Sequence, residues 1–543
     1  MRRFFAVLLP VLFCCGLHAQ NQETDTNFET DAIATDSVTQ TAEPDTVVDI
    51  LHRYDNDQYD YTEQYQYNDT VWKNFATGSK VHLQRLSGSD TLVSANRNVV
   101  KPILESLAIN FGVWGWDHFV KDAGWADVNA HTIHRNIKSG WSLDHDSYSG
   151  NQFSHPFHGS MFYNAARYHG HDFYTSSLYP LVGSFVWEYF CETNLPSYND
   201  FLSTGIGGVA IGEATFRVSD IVFDNSKRGV NRVFREIVGS VLNPSRGFHR
   251  LFSGEMWRVS PVRGKRVDPE PFSLDIGVGN RYMCEMRHKG RHKSVAYVDF
   301  QLNYGEHFDG KSQHKPFDFF QFYALMNLSN DDPTFSRVDI RGRVATKQFE
   351  TSREWKYDLG FYQVYKYIDN YGESGKSKRT MRAGDYALLN EACSFAGGLY
   401  LEKVNRKISF SNDLMVDAVG FGGTVADYYL PRTYNYASGF SVNNHVRFCL
   451  NGKLMVGDDF YFARLYSFKG SKTGDPSDMN EYFWGDKGNN SVFMNKAYLN
   501  INLKYNLKVN FEHLLYYRRS NYEMYPSVHA KSYEMKIGLV YSI

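Results

Sequence analysis

From Phe272 to Ile543 apolar and polar residues take turns, and this period of two constrains the fold more than any other feature of the chain. Phe272, Leu274, Ile276 and Val278 alternate with Ser273, Asp275, Gly277 and Gly279. Val338, Ile340 and Val344 alternate with Arg337, Asp339, Arg341 and Arg343, and Leu499, Ile501, Leu503 and Tyr505 with Asn500, Asn502, Lys504 and Asn506. Successive side chains of a strand point to opposite faces, so each segment predicts a strand with one dry face and one wet face. About twelve such segments follow one another, separated by polar, Gly-rich stretches such as 369–385 and 469–490. A soluble antiparallel sandwich alternates in the same way. Three details favour a membrane. The strands reach about ten residues or more, the polar faces carry Arg, Lys, Glu and Asn, and the apolar faces end in Tyr and Phe, as a wet lumen and interfacial girdles require. The 38 Tyr and 40 Phe of the 543 residues then have a place. A mean hydropathy of −0.46 argues against an α-helical membrane protein and leaves a barrel open.

The N-terminus predicts an exported chain. Arg2 and Arg3 precede the apolar run Phe4–Cys15, and Gly16-Leu17-His18-Ala19 offers a cleavage site, so residues 1–19 read as a signal peptide. The run is too short for a membrane anchor, and Cys14 and Phe13 before Cys15 suit lipoprotein processing poorly. The closing Lys536-Ile537-Gly538-Leu539-Val540-Tyr541-Ser542-Ile543 resembles the C-terminal signal of bacterial outer-membrane barrels: a polar residue, a Gly, an aromatic and a final hydrophobic residue. Outer-membrane lipid is therefore an expected partner. Nucleic acid is not, because 58 Lys plus Arg against 60 Asp plus Glu give a net charge of −2. Cys191, Cys284, Cys393 and Cys449 are widely scattered without CxxC spacing, so no disulfide framework or zinc site is indicated. One long-range bridge stays open.

Between signal and strands the chain divides further. Residues 20–99 read as an acidic disordered leader and linker, with eight acidic residues and no Lys or Arg between 21 and 50. Residues 100–250 have helical periodicity: Ile103, Leu107, Phe111 and Trp114 recur at spacings of three and four. Ser154-His155-Pro156 predicts a helix start and Gly170 the stop after Tyr168. Phe173–Cys191 and Phe201–Phe223 are apolar but short of a bilayer span, and a last helix over 227–242 ends at Asn243-Pro244. Residues 251–271 form a linker, and 272–543 the barrel. The expected class is α+β: a helical domain followed by an antiparallel transmembrane β-barrel, with the helices plugging the lumen or capping the barrel on its periplasmic side.

Polar residues within the apolar helices are the site-like features. His155 and His158, three apart in HPFHG, share one face of a helix start and are the candidate metal ligands or general bases. Glu188 in VWEYF and Glu213 in GIGGVAIGE are candidate acids or ligands, and Arg217 a candidate anion clamp; Asp200, Asp117 and His118 are further polar insertions. The bland reading pairs each buried carboxylate with a neighbouring donor, because unpaired burial is costly. Glu213 and Arg217 have the spacing of an intrahelical ion pair. HxxH alone is weak evidence of a metal, and HExxH, GxSxG and the P-loop pattern are absent. Asp144-His145-Asp146 lacks the ligand order of an EF-hand. Gly205, Gly207, Gly208 and Gly212 predict a close helix contact. No cofactor is expected.

The succession KPILESLAINFGVWGWDHF, HTIHRNIKSGW, HPFHGSMFYNAARYHG, VWEYF, PSYNDFLSTGIGGVAIGE and NPSRGFHR resembles an uncharacterised family of Bacteroidota envelope proteins, classed as a domain of unknown function. The resemblance covers about residues 100–250. It implies an envelope location and a helical module before a barrel, but no activity and no catalytic residue. Two functions are carried forward. One is a non-enzymatic outer-membrane protein for transport, assembly or scaffolding, with other envelope proteins meeting the acidic leader or the helices. The other is an envelope hydrolase, or another enzyme modifying lipid or glycan, with its site in the helical domain.

Overall fold

The computed structural model describes residues 97–543 apart from positions 145, 261–262, 269, 287–291, 312, 330–331, 351–354, 371–386, 406, 429–432 and 469–484. The expected signal peptide and nearly all of the leader lie outside the described residues.

Twelve strands form a closed barrel: β1 Phe272–Glu285, β2 His292–Tyr304, β3 Phe320–Asn327, β4 Phe335–Glu350, β5 Trp355–Asp369, β6 Leu388–Val404, β7 Ile408–Val425, β8 Tyr434–Leu450, β9 Leu454–Ser467, β10 Gly488–Asn502, β11 Leu507–Tyr522 and β12 Val528–Ser542. Each pairs antiparallel with its sequence neighbours, and β12 closes on β1 with Asp275 opposite Ser542 and Arg281 opposite Lys536. Closure removes the open sheet edges. The short connections 451–453 and 503–506 join β8 to β9 and β10 to β11 at one end of the barrel.

The alternation sorts the two faces. Val278, Leu359, Val416, Ile537 and Leu539 point outward, each about half exposed. Charged residues point inward and pair with one another, mostly between neighbouring strands. Lys536 pairs with Asp299 at 2.6 Å and Glu512 at 3.1 Å, and Arg281 takes Glu534 bidentately at 2.6 and 2.9 Å. Arg341 of β4 reaches Asp413 of β7 at 2.5 Å. Between Arg281, Tyr323, Lys496, Glu512 and Lys536 a cavity of about 30 Å³ is left, room for about one water. This lumen is filled by its own side chains.

Among the described residues the module before the barrel has nine α-helices: α1 Val100–Phe119, α2 Ala130–Ser139, α3 His155–Tyr168, α4 Phe173–Ser176, α5 Tyr179–Phe190, α6 Tyr198–Leu202, α7 Gly208–Val222, α8 Gly229–Leu242 and α9 Pro244–Phe252. Single π-helical turns, Gly150–Ser154 and Ser203–Gly207, lead into α3 and α7. Asn243-Pro244, expected only as a stop, also starts a helix: Asn243 ends α8, and its side chain caps α9 by accepting from the Arg246 N–H at 3.0 Å. Helices α3 and α7 cross where Gly159 faces Thr204 and Gly208 faces Gly159. A Cβ on Gly159 would fall 1.9 Å from the Thr204 carbonyl oxygen. The glycine run thus permits the close helix contact it predicts. Cys191, Cys284, Cys393 and Cys449 are free thiols, and among the described residues no helix is long and apolar enough to cross a membrane.

The placement of this module corrects one expectation. The helices neither plug the lumen nor cap an end; they lie against the outside of the barrel wall. The wall residues they bury belong to the outward set. Tyr148 stacks on Tyr367 of β5 (ring centroids 5.1 Å apart), Phe153 packs on Phe335 of β4, and Phe173 on Phe317 before β3. One hydrophobic core joins Tyr163, Val209 and Ile211 of the helices to Tyr304, Ile340, Tyr365 and Tyr436 of the wall. The physical reason is that the lumen is already filled by its own paired charges and by an apolar cluster that includes Leu389, Val492 and Met494, so the apolar surface left for the helices is the outer one.

Candidate functional site

The structure divides the sequence candidates between two places. Glu213 and Arg217 lie on α7, one turn apart, and pair at 2.8 Å. Arg167 from α3 adds a bidentate contact to Glu213 at 2.8 and 3.1 Å, and the Tyr163 hydroxyl donates to it at 2.7 Å. Burial pushes the Glu213 carboxyl up, but the two guanidiniums outweigh it and hold it below the ordinary glutamate value. Arg217 also donates to the Pro316 carbonyl at 2.8 Å, fastening α7 to the connection before β3. This is a hydrogen-bonded ion cluster that joins α3 to α7.

His155, Glu188 and Asp200 form the second place. Here α3, α5 and α6 bring one ligand-type atom from each residue to within 4.8 Å of the others. His155 Nε2 lies 3.5 Å from Asp200 Oδ1, and its Nδ1 lies 3.4 Å from the Thr204 hydroxyl. Glu188 Oε2 accepts from the Ser197 N–H at 2.8 Å, whereas Oε1 is buried with no N–H or hydroxyl partner. Asn199 Nδ2 lies 2.7 Å from Asp144 Oδ1 and 2.8 Å from Asp200 Oδ1, drawing Asp144 into the group, and Glu192 follows Glu188 by one turn. Burial, reinforced by the neighbouring negative charges, pushes Glu188, Glu192 and Asp200 up, and burial pushes His155 down.

His158 points elsewhere than its spacing suggests. Its ring sits between Phe162 and Trp187, at centroid distances of 4.6 and 5.0 Å, and Nε2 has no hydrogen-bond partner. Burial, with His155 nearby, pushes it down to about 3, so it is a neutral imidazole. Asp117 pairs with Lys121 at 2.5 Å, and His118 stacks on Trp114 and meets Asp127 at 3.0 Å. Both serve local packing. Sequence reasoning passed over Asp144, Glu192, Asn151 and Asn199. The signal for Asp144 was present in Asp144-His145-Asp146, but a search for one loop's ligand order cannot see ligands gathered from four segments. Two other groups converge as closely. In Glu105–His169–His249, Glu105 Oε2 serves both imidazoles, and in Asp309–His314–Asp318 the carboxylates already face Lys311 and Arg343.

Between the helices and the outer wall runs a crevice of about 2530 Å³. One side is the outward stripe of β1–β4: Phe272, Leu274, Phe300, Phe322, Met326 and Val338. The other is the inner face of α1, α3, α7 and α8, with Ile109, Met161, Val218, Ile221 and Val238. It far exceeds the roughly 300–1,000 Å³ of a small-molecule pocket. Asp146, Ser154, His155, His158 and Glu192 reach its border, so the acidic group opens onto apolar space.

Residues 140–245 match the model of a domain of unknown function, DUF3943. No curated protein matches the chain. Among solved structures, the barrel half resembles the NanC porin (7% identity, 49% of this chain and 98% of that one, TM-score 0.26). It also resembles a loop-deletion mutant of OmpT, an outer membrane protein of Vibrio cholerae (9%, 51% and 100%, 0.21), and the Pseudomonas putida toluene transporter TodX (9%, 50% and 88%, 0.21). At these values the likeness carries no functional information.

Proposed function

We propose that this chain is a bacterial outer-membrane β-barrel protein, exported through a cleaved signal over residues 1–19, whose helical module holds the acyl chains of an envelope lipid against the barrel's outer wall. The role is binding, in the service of lipid transport or scaffolding in the envelope, and the acidic leader offers a further surface to other envelope proteins. The observation that carries this reading is the crevice. Both of its sides are apolar, and one of them is the stripe that any membrane barrel turns towards lipid. A water-filled crevice of this size would forfeit about 25 cal/mol for each Å² of apolar surface left wet. The packed lumen argues in the same direction, since a channel for solutes needs an open one.

The test is to purify the chain in mild detergent and quantify co-purifying lipid by mass spectrometry. Val218→Trp and Val238→Trp, which fill the crevice from α7 and α8, are expected to release that lipid while the barrel keeps its heat-modifiable migration. Lipid retention unchanged by both variants would sink the reading. A chain soluble without detergent and showing no heat shift would remove the membrane itself. The second reading, an envelope hydrolase acting on the same lipid, is favoured by one observation: His155, the imidazole of the His155–Glu188–Asp200 group, borders the crevice.

A further inference from the structure

Glu188 is completely buried; its Oε1 has no N–H or hydroxyl partner, and the carboxyl beside it is that of Glu192. Such an atom carries the cost of lost hydration, which is larger for a charged group. Two more carboxylates, Asp200 and Glu192, are 1% and 7% exposed. Among the described residues no Lys or Arg pairs with any of the three; the sole ion-pair partner is His155, at 3.5 Å from Asp200. The contrast with Glu213, on the same module, is direct. That buried carboxylate has two guanidiniums and a phenol on it. Carboxyl groups gathered in a dry place with no Lys or Arg among them must be neutralised, by protons or by a bound cation.

We propose that His155, Glu188 and Asp200 bind one divalent transition-metal ion. Each residue supplies a ligand atom within 4.8 Å of the other two, close enough for all three to reach a common centre at ordinary metal–ligand lengths of about 2.0–2.2 Å. The donor set selects the ion. An imidazole with carboxylates suits zinc, manganese or iron, whereas calcium and magnesium favour all-oxygen shells. The surroundings match those of a metal ligand set. The Ser197 N–H orients Glu188 through its other oxygen, and Asn199 lies within hydrogen-bond distance of both Asp200 and Asp144. Asn151, within 2.6 Å of Asp144, also lies 2.7 Å from the Tyr434 hydroxyl, tying these supports to the barrel wall. Asp144 and Glu192 stand beside the three ligands as further carboxylates. His155 is partly exposed at the crevice border, which gives the ion a way in and leaves room for a fourth ligand from the crevice.

The proposal stands apart from the lipid reading, because bound metal is counted whether or not lipid is present. The full chain in detergent is stripped with EDTA, dialysed, and titrated with Zn²⁺ or Mn²⁺ alone. Bound metal is read by elemental analysis and calorimetry, and the melting temperature is followed. The expected result is about one equivalent per chain and a melting temperature that rises with metal, with an affinity at least ~10-fold lower in Glu188→Gln and Asp200→Asn. His249→Gln, in the separate Glu105 group, should keep wild-type uptake. Barrel heat-modifiability and a cooperative melt identify folded variants; should Glu188→Gln fail to fold, the milder His155→Gln carries the comparison. Absence of uptake by the folded wild-type chain overturns the proposal and leaves protons as the compensating charge. Uptake that Glu188→Gln, Asp200→Asn and His155→Gln leave unchanged overturns it as well.

Discussion

Gln363, on the outward face of β5, donates its side-chain N–H to the Ile206 carbonyl at 3.0 Å, so a barrel strand fastens the π-helical turn that leads into α7. In a bare membrane barrel a buried amide at this outward position would face hydrocarbon. Gln363→Leu keeps the volume and removes this hydrogen bond, at a cost of about 0.5–1.5 kcal/mol. Limited proteolysis should then cut the helical module sooner while the barrel still resists. Equal protection in mutant and wild type would mean that this contact does not hold the module in place.

Acid should loosen the module through Glu213. Its folded value lies below that of the unfolded chain because Arg167 and Arg217 outweigh its burial. Stability from this source is therefore fully present above about 4.5 and is lost as pH falls through the folded value. Glu213→Gln should flatten that acid limb. It should also cost about 3–5 kcal/mol at neutral pH, because buried guanidiniums are left without their counter-charge. Melting curves between pH 3 and 7 check both effects, and a wild-type curve already flat below pH 4.5 would refute the first.

Gly159→Ala should be among the most damaging small substitutions in the module. The added methyl would sit 1.9 Å from the Thr204 carbonyl oxygen, forcing α3 away from the turn before α7. Overpacking of this kind costs about 1–3 kcal/mol or more. Gly112→Ala, where a Cβ meets nothing within 4 Å, is the matched control and should be neutral or slightly stabilising. Equal melting temperatures for the two variants would contradict the packing described.

The lumen should conduct poorly. Arg281, Lys536, Glu512 and Glu534 fill it with paired charges and leave about 30 Å³ between them. Planar-bilayer recordings of the wild-type chain should show no steady porin-like current. Arg281→Ala combined with Lys536→Ala should raise conductance by removing two of the side chains that cross the space. A large open-channel current from the wild type would contradict a filled lumen.

Much of the architecture was legible in the residues. Alternation such as Leu499-Asn500-Ile501-Asn502 encodes a strand's two faces directly, so the barrel could be read strand by strand. Glu213 and Arg217 were legible as a pair because their spacing is a local property of a helix. The outer-wall docking was not legible. Tyr365 and Tyr367 carry the same alternation signal as the exposed Leu359 and Phe361, and nothing local distinguishes an outward residue covered by the helices from one left uncovered. The His155–Glu188–Asp200 group was seen only as separate letters. Its members stand 33 and 12 residues apart along the chain, and tertiary folding alone assembles them. His158, chosen for its spacing from His155, turns into aromatic packing because one turn of helix was not enough to fix which neighbours it meets.

The lateral docking of the module sets an order of assembly. Its helices precede the barrel in the chain, yet Tyr365, Tyr367, Tyr434 and Tyr436, against which they pack, come together only once β5 to β8 have paired. The wall is thus the template on which the earlier segment completes its folding. Strands β9 to β12 contribute no residue to that core, so the module depends for its packing on one flank of the barrel alone.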